Sequence, residues 1–302
     1  MSEPRISAFA RLANGNVKPT RVIEGQITKL SRTMHGLQYD ATHDEIVVPV
    51  ALAGAVLTLR GGANGSEPPI RVLQGPHTRI TRPDTLYLDV KHDEIFVDSG
   101  DEKILVFKRD ASGDVPPIRV IEGPQTRIAN IYGIAVDPVH DLIFISNRVE
   151  RAGKPDSIMV YNRTDAGDVP PRAVINGPHT GILRIRQIEV DAERGRVYVA
   201  VKNNQDIYKH DAAMPTPWDA DKPGFIGVWD VTDNGDVPPR GVIKGPASKL
   251  VWPAGVAINP QDGEVYTIDS VSNALFMYTM PEFFTANGPA TSSLRGSSTH
   301  AQ

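Results

Sequence analysis

The sequence predicts an all-β propeller, because one phrase recurs at the spacing of propeller blades. The phrase has five copies, RVIEG, RVLQG, RVIEG, AVING and GVIKG, which end at Gly25, Gly75, Gly123, Gly177 and Gly245. These glycines lie 50, 48, 54 and 68 residues apart. A period near fifty residues accommodates four short strands with their turns, which is the content of one blade.

Each repeat contains four segments with strand character. In the third repeat they are IRVIE, GIAVD, LIFIS and SIMVY, all rich in β-branched and aromatic residues. Asp137-Pro138 and Pro116-Pro117 mark turns between strands. The strands are apolar on both faces, so we expect the blades to stack face to face.

Composition excludes several functional classes. The 302 residues carry 32 Lys+Arg and 36 Asp+Glu, a net charge of -4, without a long block of either sign. This balance argues against a nucleic-acid partner and against an anionic membrane surface. The apolar runs are too short for a membrane span and the first residues lack a signal-peptide layout, so we expect a soluble chain of undetermined compartment. The absence of cysteine excludes disulfides, thiolate metal ligands and a thiol nucleophile.

Strand counting raises a question of closure. We expect one propeller domain over residues 1–280 and a tail over 281–302 that is at least partly disordered. Residues 20–25 are expected to form the outermost strand of the blade that spans 256–280, which gives five blades. The segment ISAFAR is then a sixth copy of the third strand. It either joins an edge, forms a partial sixth blade or pairs with another subunit.

Several phrases resemble those of a known family. GIAVD at 133–137, GVAIN at 255–259 and the opening ISAFARLANGNVKPTRVIEG resemble the NHL-repeat propellers of bacteria and their gluconolactonase-like relatives. The resemblance covers residues 6 to about 280 and implies that the first strand of each blade lines a central channel. It concerns a fold that carries many activities, so it does not specify one.

The position just before each first strand is the first candidate binding position. The repeats place His35, Asp84, Tyr132, Arg186 and Ala254 there. Four polar residues of four types at one position predict a mixed polar pocket at the channel mouth, and ordinary variation of an exposed loop is the alternative. His35 and Asp84 are the candidate catalytic acid or base.

The position just after each second strand is the second candidate. Asp98, Asn147, Asn203 and Asp269 lie there. The gluconolactonase-like resemblance implies a divalent cation held by such residues, and oxygen ligands suit Ca²⁺. The alternative is that these side chains cap the following turn. His43, His92 and His140 recur in the hairpin between first and second strands, where we expect a structural role.

The longest departure from the repeat is an insertion over residues 202–224. It follows the second strand of blade four and contains Tyr208, His210 and Trp218. We expect it to cover the channel mouth near Tyr132, Arg186 or Trp252, which together with the three insertion residues are the candidate ligand contacts. A tolerated surface insertion is the alternative.

Three functions remain open on the sequence. The favoured one is a propeller that binds a small molecule, glycan or protein at the channel mouth, because no common catalytic motif is present. The second is a Ca²⁺-dependent hydrolase of a lactone or ester. The third is an assembly module that self-associates through the surplus N-terminal strand.

Overall fold

A computed structural model describes residues 4–100, 102–149, 156–202 and 224–285. The fold is the five-blade β-propeller that the sequence predicts, with antiparallel blades. No helix among these residues has the length and apolarity needed to cross a bilayer.

Blades one to four each contain four strands, and blade five has three in the described residues. The first two strands precede the blades: β1 (Arg5–Ala8) and β2 (Arg21–Glu24). Blade one comprises β3 (Gln38–Asp40), β4 (Glu45–Val50), β5 (Ala55–Arg60) and β6 (Arg71–Gln74). Blade two comprises β7 (Leu86–Asp89), β8 (Glu94–Asp98), β9 (Lys103–Lys108) and β10 (Arg119–Glu122). Blade three comprises β11 (Asn130–Asp137), β12 (Leu142–Arg148), β13 (Ser157–Asn162) and β14 (Ala173–Ile175). Blade four comprises β15 (Ile185–Asp191), β16 (Arg196–Val201), β17 (Phe225–Asp230) and β18 (Gly241–Ile243). Blade five comprises β19 (Pro253–Asn259), β20 (Glu264–Asp269) and β21 (Ala274–Thr279).

The chain forms two compact units. The first is Met1–Asn147 with Val160–Arg172, and the second is Arg148–Met159 with Ala173–Gln302. In the first unit, Val47, Val56, Leu73 and Leu105 belong to a buried apolar cluster of blades one and two. In the second, Tyr198, Val228 and Val265 belong to a cluster of blades four and five. Each cluster lies between neighbouring sheets, as stacked apolar faces require.

The repeat glycine begins a short 3-10 turn in every copy, and its local chemistry explains why the phrase recurs. Gly75 has φ 136, and a Cβ there would lie 2.3 Å from the carboxyl carbon of Asp114. That carboxylate accepts the His77 N–H at 2.7 Å. The buried Thr78 hydroxyl donates to the Gly75 carbonyl at 2.6 Å and accepts the Ile80 N–H at 3.1 Å. Glycine is therefore required for both conformation and space.

The expected pairing of residues 20–25 with blade five is wrong. Strand β2 pairs with β1 instead, with Ile6 opposite Ile23, while β19, β20 and β21 form a three-stranded sheet. The reason is local, since β1 and β2 are joined as the third and fourth strands of each blade are, and Thr20 N–H donates to Ala8 O at 2.8 Å just as Ile70 N–H donates to Thr58 O. The surplus strand ISAFAR is thereby accounted for as the partner of β2.

Strand β2 lies against blade one as the fourth strand of other blades lies against the blade that follows. Ile23 makes a parallel bridge to Gly65, and Leu73 makes the same bridge to Gly113. Ile23 is buried with Ile46, Val48 and Leu59. The β1–β2 pair thus packs on blade one as the third and fourth strands of other blades pack on the blade that follows.

The turn histidines are structural within their own hairpins. His43, His92 and His140 place Nδ1 2.6–2.7 Å from Asp40, Asp89 and Asp137, each three residues earlier. These carboxylates are buried and also accept a backbone N–H of the same turn. In the fourth repeat Arg194 takes the same place, at 3.1 Å from Asp191.

The expected tail begins with a packed segment. Pro281–Phe284 is a 3-10 turn in which Phe283 and Phe284 are buried. The ring of Phe284 stacks on Tyr198 with centroids 5.4 Å apart. The remaining tail residues lie outside the described part of the chain.

Candidate anion-binding site

A buried aspartate joins two segments of the second unit. Asp156 directly precedes β13 and is 1% exposed. Its Oδ1 accepts the Val149 N–H and its Oδ2 accepts the Ile185 N–H, both at 2.9 Å. Val149 follows Arg148, and Ile185 stands between Arg184 and Arg186. The carboxylate therefore brings the backbone of three arginines together.

Burial raises the pKa of Asp156 to about 6. The two backbone N–H groups and the charges of Arg148 and Arg184 oppose this rise. At neutral pH the carboxylate is ionised and its two oxygens are occupied by amides.

Lys202 adds a fourth cation. Its backbone N–H donates to the Arg184 carbonyl at 2.7 Å, at the end of β16. The half-buried side chain places Nζ 3.7 Å from the ring centroid of Trp252. Burial, followed by the positive charges of Arg186, Arg148 and Arg184, lowers the pKa of Lys202 to about 8. The positive charges of the three arginines therefore add to the effect of burial on this amine.

Trp252 is held in place by the aspartate at the end of β20. Asp269 accepts the Val251 and Trp252 N–H groups at 2.8 and 2.6 Å, and its other oxygen accepts Val271 and Ser272. The indole is 7% exposed. Its Nε1 has no hydrogen-bond partner among the described residues. A buried donor of this kind costs free energy unless a ligand or water accepts it.

The resulting group is a cationic cluster beside an aromatic ring. We call Arg148, Arg184, Arg186, Lys202 and Trp252 the cationic cluster. Asp156 and Asp269 bind the segments that carry these residues, and both accept backbone N–H groups. Guanidinium groups bind carboxylate and phosphate oxygens in paired hydrogen bonds, and partial burial strengthens them. The chemistry that this arrangement suits is the binding of a small anion.

Three of the residues expected to hold a divalent cation make hydrogen bonds to the backbone. Asp98 accepts the N–H groups of Asp84 and Gly100, and Asn147 accepts the Ala129 N–H and donates to the Arg127 carbonyl. Asp269 has the corresponding contacts described above. In the described ranges there is no group of three or more His, Asp or Glu side chains arranged to bind a metal ion. Asn203 lies outside those ranges.

The candidate acid and base face one another at the surface of the first unit. His35 Nδ1 lies 2.5 Å from Asp84 Oδ1, and the two side chains are 50% and 20% exposed. The Asp84 N–H in turn donates to Asp98. The pair joins the loops that enter blades one and two. Tyr132 lies in β11 and is half-buried.

Two of the predicted ligand contacts, Arg186 and Trp252, belong to the cationic cluster. The insertion residues Tyr208, His210 and Trp218 lie outside the described part of the chain. Sequence reasoning missed Arg148, Arg184 and the role of Lys202. One signal was available in the sequence. Just after the second strand, the other repeats have Pro, Asp, Asn and Asp, and only the fourth repeat has a cation, Lys202.

Comparison with known proteins gives no assignment. No family model matches the chain, and no curated protein matches it at a significant level.

Proposed function

We propose that this protein is an NHL-type propeller that binds a small organic anion at the cationic cluster of its second unit. The family assignment rests on the repeat phrases and on the blade architecture that they predict. The binding function rests on one observation: backbone hydrogen bonds bring the segments that carry Arg148, Arg184, Arg186 and Lys202 together, and Lys202 Nζ lies 3.7 Å from the ring centroid of Trp252. Burial, followed by the positive charges of the three arginines, lowers the pKa of Lys202 to about 8. An anion placed among them relieves this repulsion.

The cluster combines several cations with one buried aromatic side chain, whose ring centroid lies 3.7 Å from Lys202 Nζ. Positive charge at a partly buried aromatic surface favours a ligand that combines a carboxylate or phosphate with a flat or apolar part.

The test is the thermal stability of the full chain with acetate, succinate, pyruvate or inorganic phosphate, at constant ionic strength. A ligand that binds only the folded state raises the Tm by mass action. We expect at least one organic anion to raise the Tm more than chloride does.

Two variants show whether the effect arises at the cluster. Arg186→Ala removes a cluster cation and should abolish the shift, whereas Lys244→Ala removes an exposed cation of the same unit and should leave it intact. Equal shifts for both variants would place the anion elsewhere. No shift with any of the four anions would refute the proposal.

A further inference from the structure

The third strand of blade five lacks the outer neighbour that third strands have in the other blades. Within the described ranges β21 pairs only with β20, whereas the third strands of blades one to four also pair with a fourth strand. Fourth strands come from the copies of the repeat phrase, and every copy is used elsewhere: β2 pairs with β1, and β6, β10, β14 and β18 complete blades one to four. No further copy of the phrase is present in the sequence.

The sequence that follows β21 does not replace the missing strand. In every copy of the phrase an isoleucine or leucine stands eight residues after a glycine of the preceding linker, namely Ile23, Leu73, Ile121, Ile175 and Ile243. The tail repeats the Ala-Asn-Gly of the first two linkers at Gly288, but the residue eight places later is Gly296. Glycine has no side chain to bury and weakens a strand. The partner of β21 is therefore expected to come from outside this chain.

Blade five also exposes one apolar face. Leu275 and Met277 of β21 are 57% and 43% exposed, and Ile268 of β20, which lies directly opposite Leu275, is 52% exposed. The other face is covered, because Phe276 and Tyr278 pack in the cluster shared with blade four. The third strands of blades one to four bury all but their terminal residues. Exposure of apolar side chains along a third strand is thus particular to blade five.

Strand β21 has none of the features that prevent an open edge from pairing. Its sequence, Ala-Leu-Phe-Met-Tyr-Thr, contains no charged residue, proline or glycine. By contrast, the outer strands β6 and β10 carry Arg71, Arg119 and Glu122. An uncharged strand pairs with a copy of itself without repulsion between like charges.

We propose that two copies of this protein pair antiparallel through β21 and join their three-stranded sheets across a two-fold axis. Pairing of one strand with its own copy closes in a dimer and requires no second kind of surface. With Phe276 opposite its copy, Leu275 lies directly opposite Met277 of the second copy, so both exposed side chains gain an apolar neighbour. With Leu275 on the axis instead, Met277 would lie opposite Asn273. The interface is small, so the dimer should form only at high concentration.

The mass of the full chain in sedimentation tests the dimer. We expect the monomer mass to double as the concentration rises to about 100 μM. Met277→Lys places a charge at the edge and should keep the protein monomeric, whereas Leu52→Lys, at a 70% exposed position of blade one, should still dimerise. A parent protein that stays monomeric, or equal dimerisation of the two variants, would overturn the proposal.

Disulfide trapping tests the register without a charged substitution. The chain has no cysteine, so Leu275→Cys and Met277→Cys each introduce a single thiol. After oxidation, the mixture of the two variants should give a crosslinked dimer that joins one of each, because this register places those two positions opposite one another. Each variant alone should give much less. Equal crosslinking in the mixture and in the separate variants would overturn the register, and these readouts are independent of anion binding.

Discussion

Replacing Lys202 with methionine should stabilise the unliganded protein at pH 7. The pKa of Lys202 is lowered from 10.5 to about 8. Each pKa unit corresponds to about 1.4 kcal/mol, so the full shift represents a penalty of about 3 kcal/mol. Water reaching the partly exposed ammonium screens this to about 1 to 2 kcal/mol. The lost cation–π contact with Trp252 offsets part of the gain, which leaves about 1 kcal/mol.

The pH dependence gives the sign of the effect. The folded-state pKa lies below the unfolded value, so the protonated amine destabilises the fold fully below about pH 8. The penalty shrinks as the pH rises towards 10.5. The advantage of Lys202→Met should therefore be present at pH 7 and much smaller at pH 10.

Urea unfolding at the two pH values measures this advantage as a change in midpoint at equal slope. Lys244→Met, at an exposed position of the same unit, is the matched control and should change little. A Lys202→Met variant that is less stable than the parent at pH 7, or whose advantage does not depend on pH, would refute the reasoning.

Three further predictions concern the fold. Ile23→Ala should lower the free energy of unfolding by about 2 to 4 kcal/mol, because Ile23 of β2 is buried against blade one, whereas Ile27→Ala at a 54% exposed position should cost much less in the same urea melts. Thr78→Val should cost about 1 to 3 kcal/mol by leaving the buried Ile80 N–H without its partner and by removing one of the two hydrogen bonds to the Gly75 carbonyl, and an unchanged melt would contradict this. The carboxyl of Asp156 has a folded pKa of about 6 against 3.8 unfolded, so its stabilising contribution is present below pH 4 and lost as the pH rises through about 6. The stability of the parent relative to Asp156→Asn should accordingly fall by up to ~3 kcal/mol between pH 4 and pH 7, and a constant difference would contradict it.

The blade architecture could be predicted from the sequence because its signals are local and repeated. The glycine of RVLQG, the threonine three residues later and the aspartate of the next linker interact through short contacts around Gly75. Five copies made the period unmistakable. The same local logic decides the pairing of β1 with β2, since the linker between them matches the linker inside each blade. Pairing of residues 20–25 with blade five was expected because it would remove an exposed strand edge. The linker between β1 and β2 decides the pairing instead.

The candidate site could be predicted only in part, because its residues depart from the repeat. Arg186 stands at a position that the repeat identifies, so an alignment of blades finds it. Trp252 stands two residues before the corresponding position of blade five, which is occupied by Ala254. Arg148 and Arg184 stand one or two residues away from repeat positions, and only the bonds of Asp156 to Val149 and Ile185 bring them together. The role of Asp269 could be predicted as turn capping or metal binding, and the choice between these depends on hydrogen-bond geometry.

Proton uptake on anion binding tests the central claim most directly. The anion among acetate, succinate and phosphate that raises the Tm most is titrated calorimetrically into the full chain at pH 8, in two buffers with different ionisation enthalpies. Lys202 is about half protonated at this pH, and a bound anion raises its pKa, so the account predicts uptake of about half a proton per anion. The uptake should vanish in Lys202→Met. Binding without proton uptake, or uptake that persists in Lys202→Met, would contradict the account.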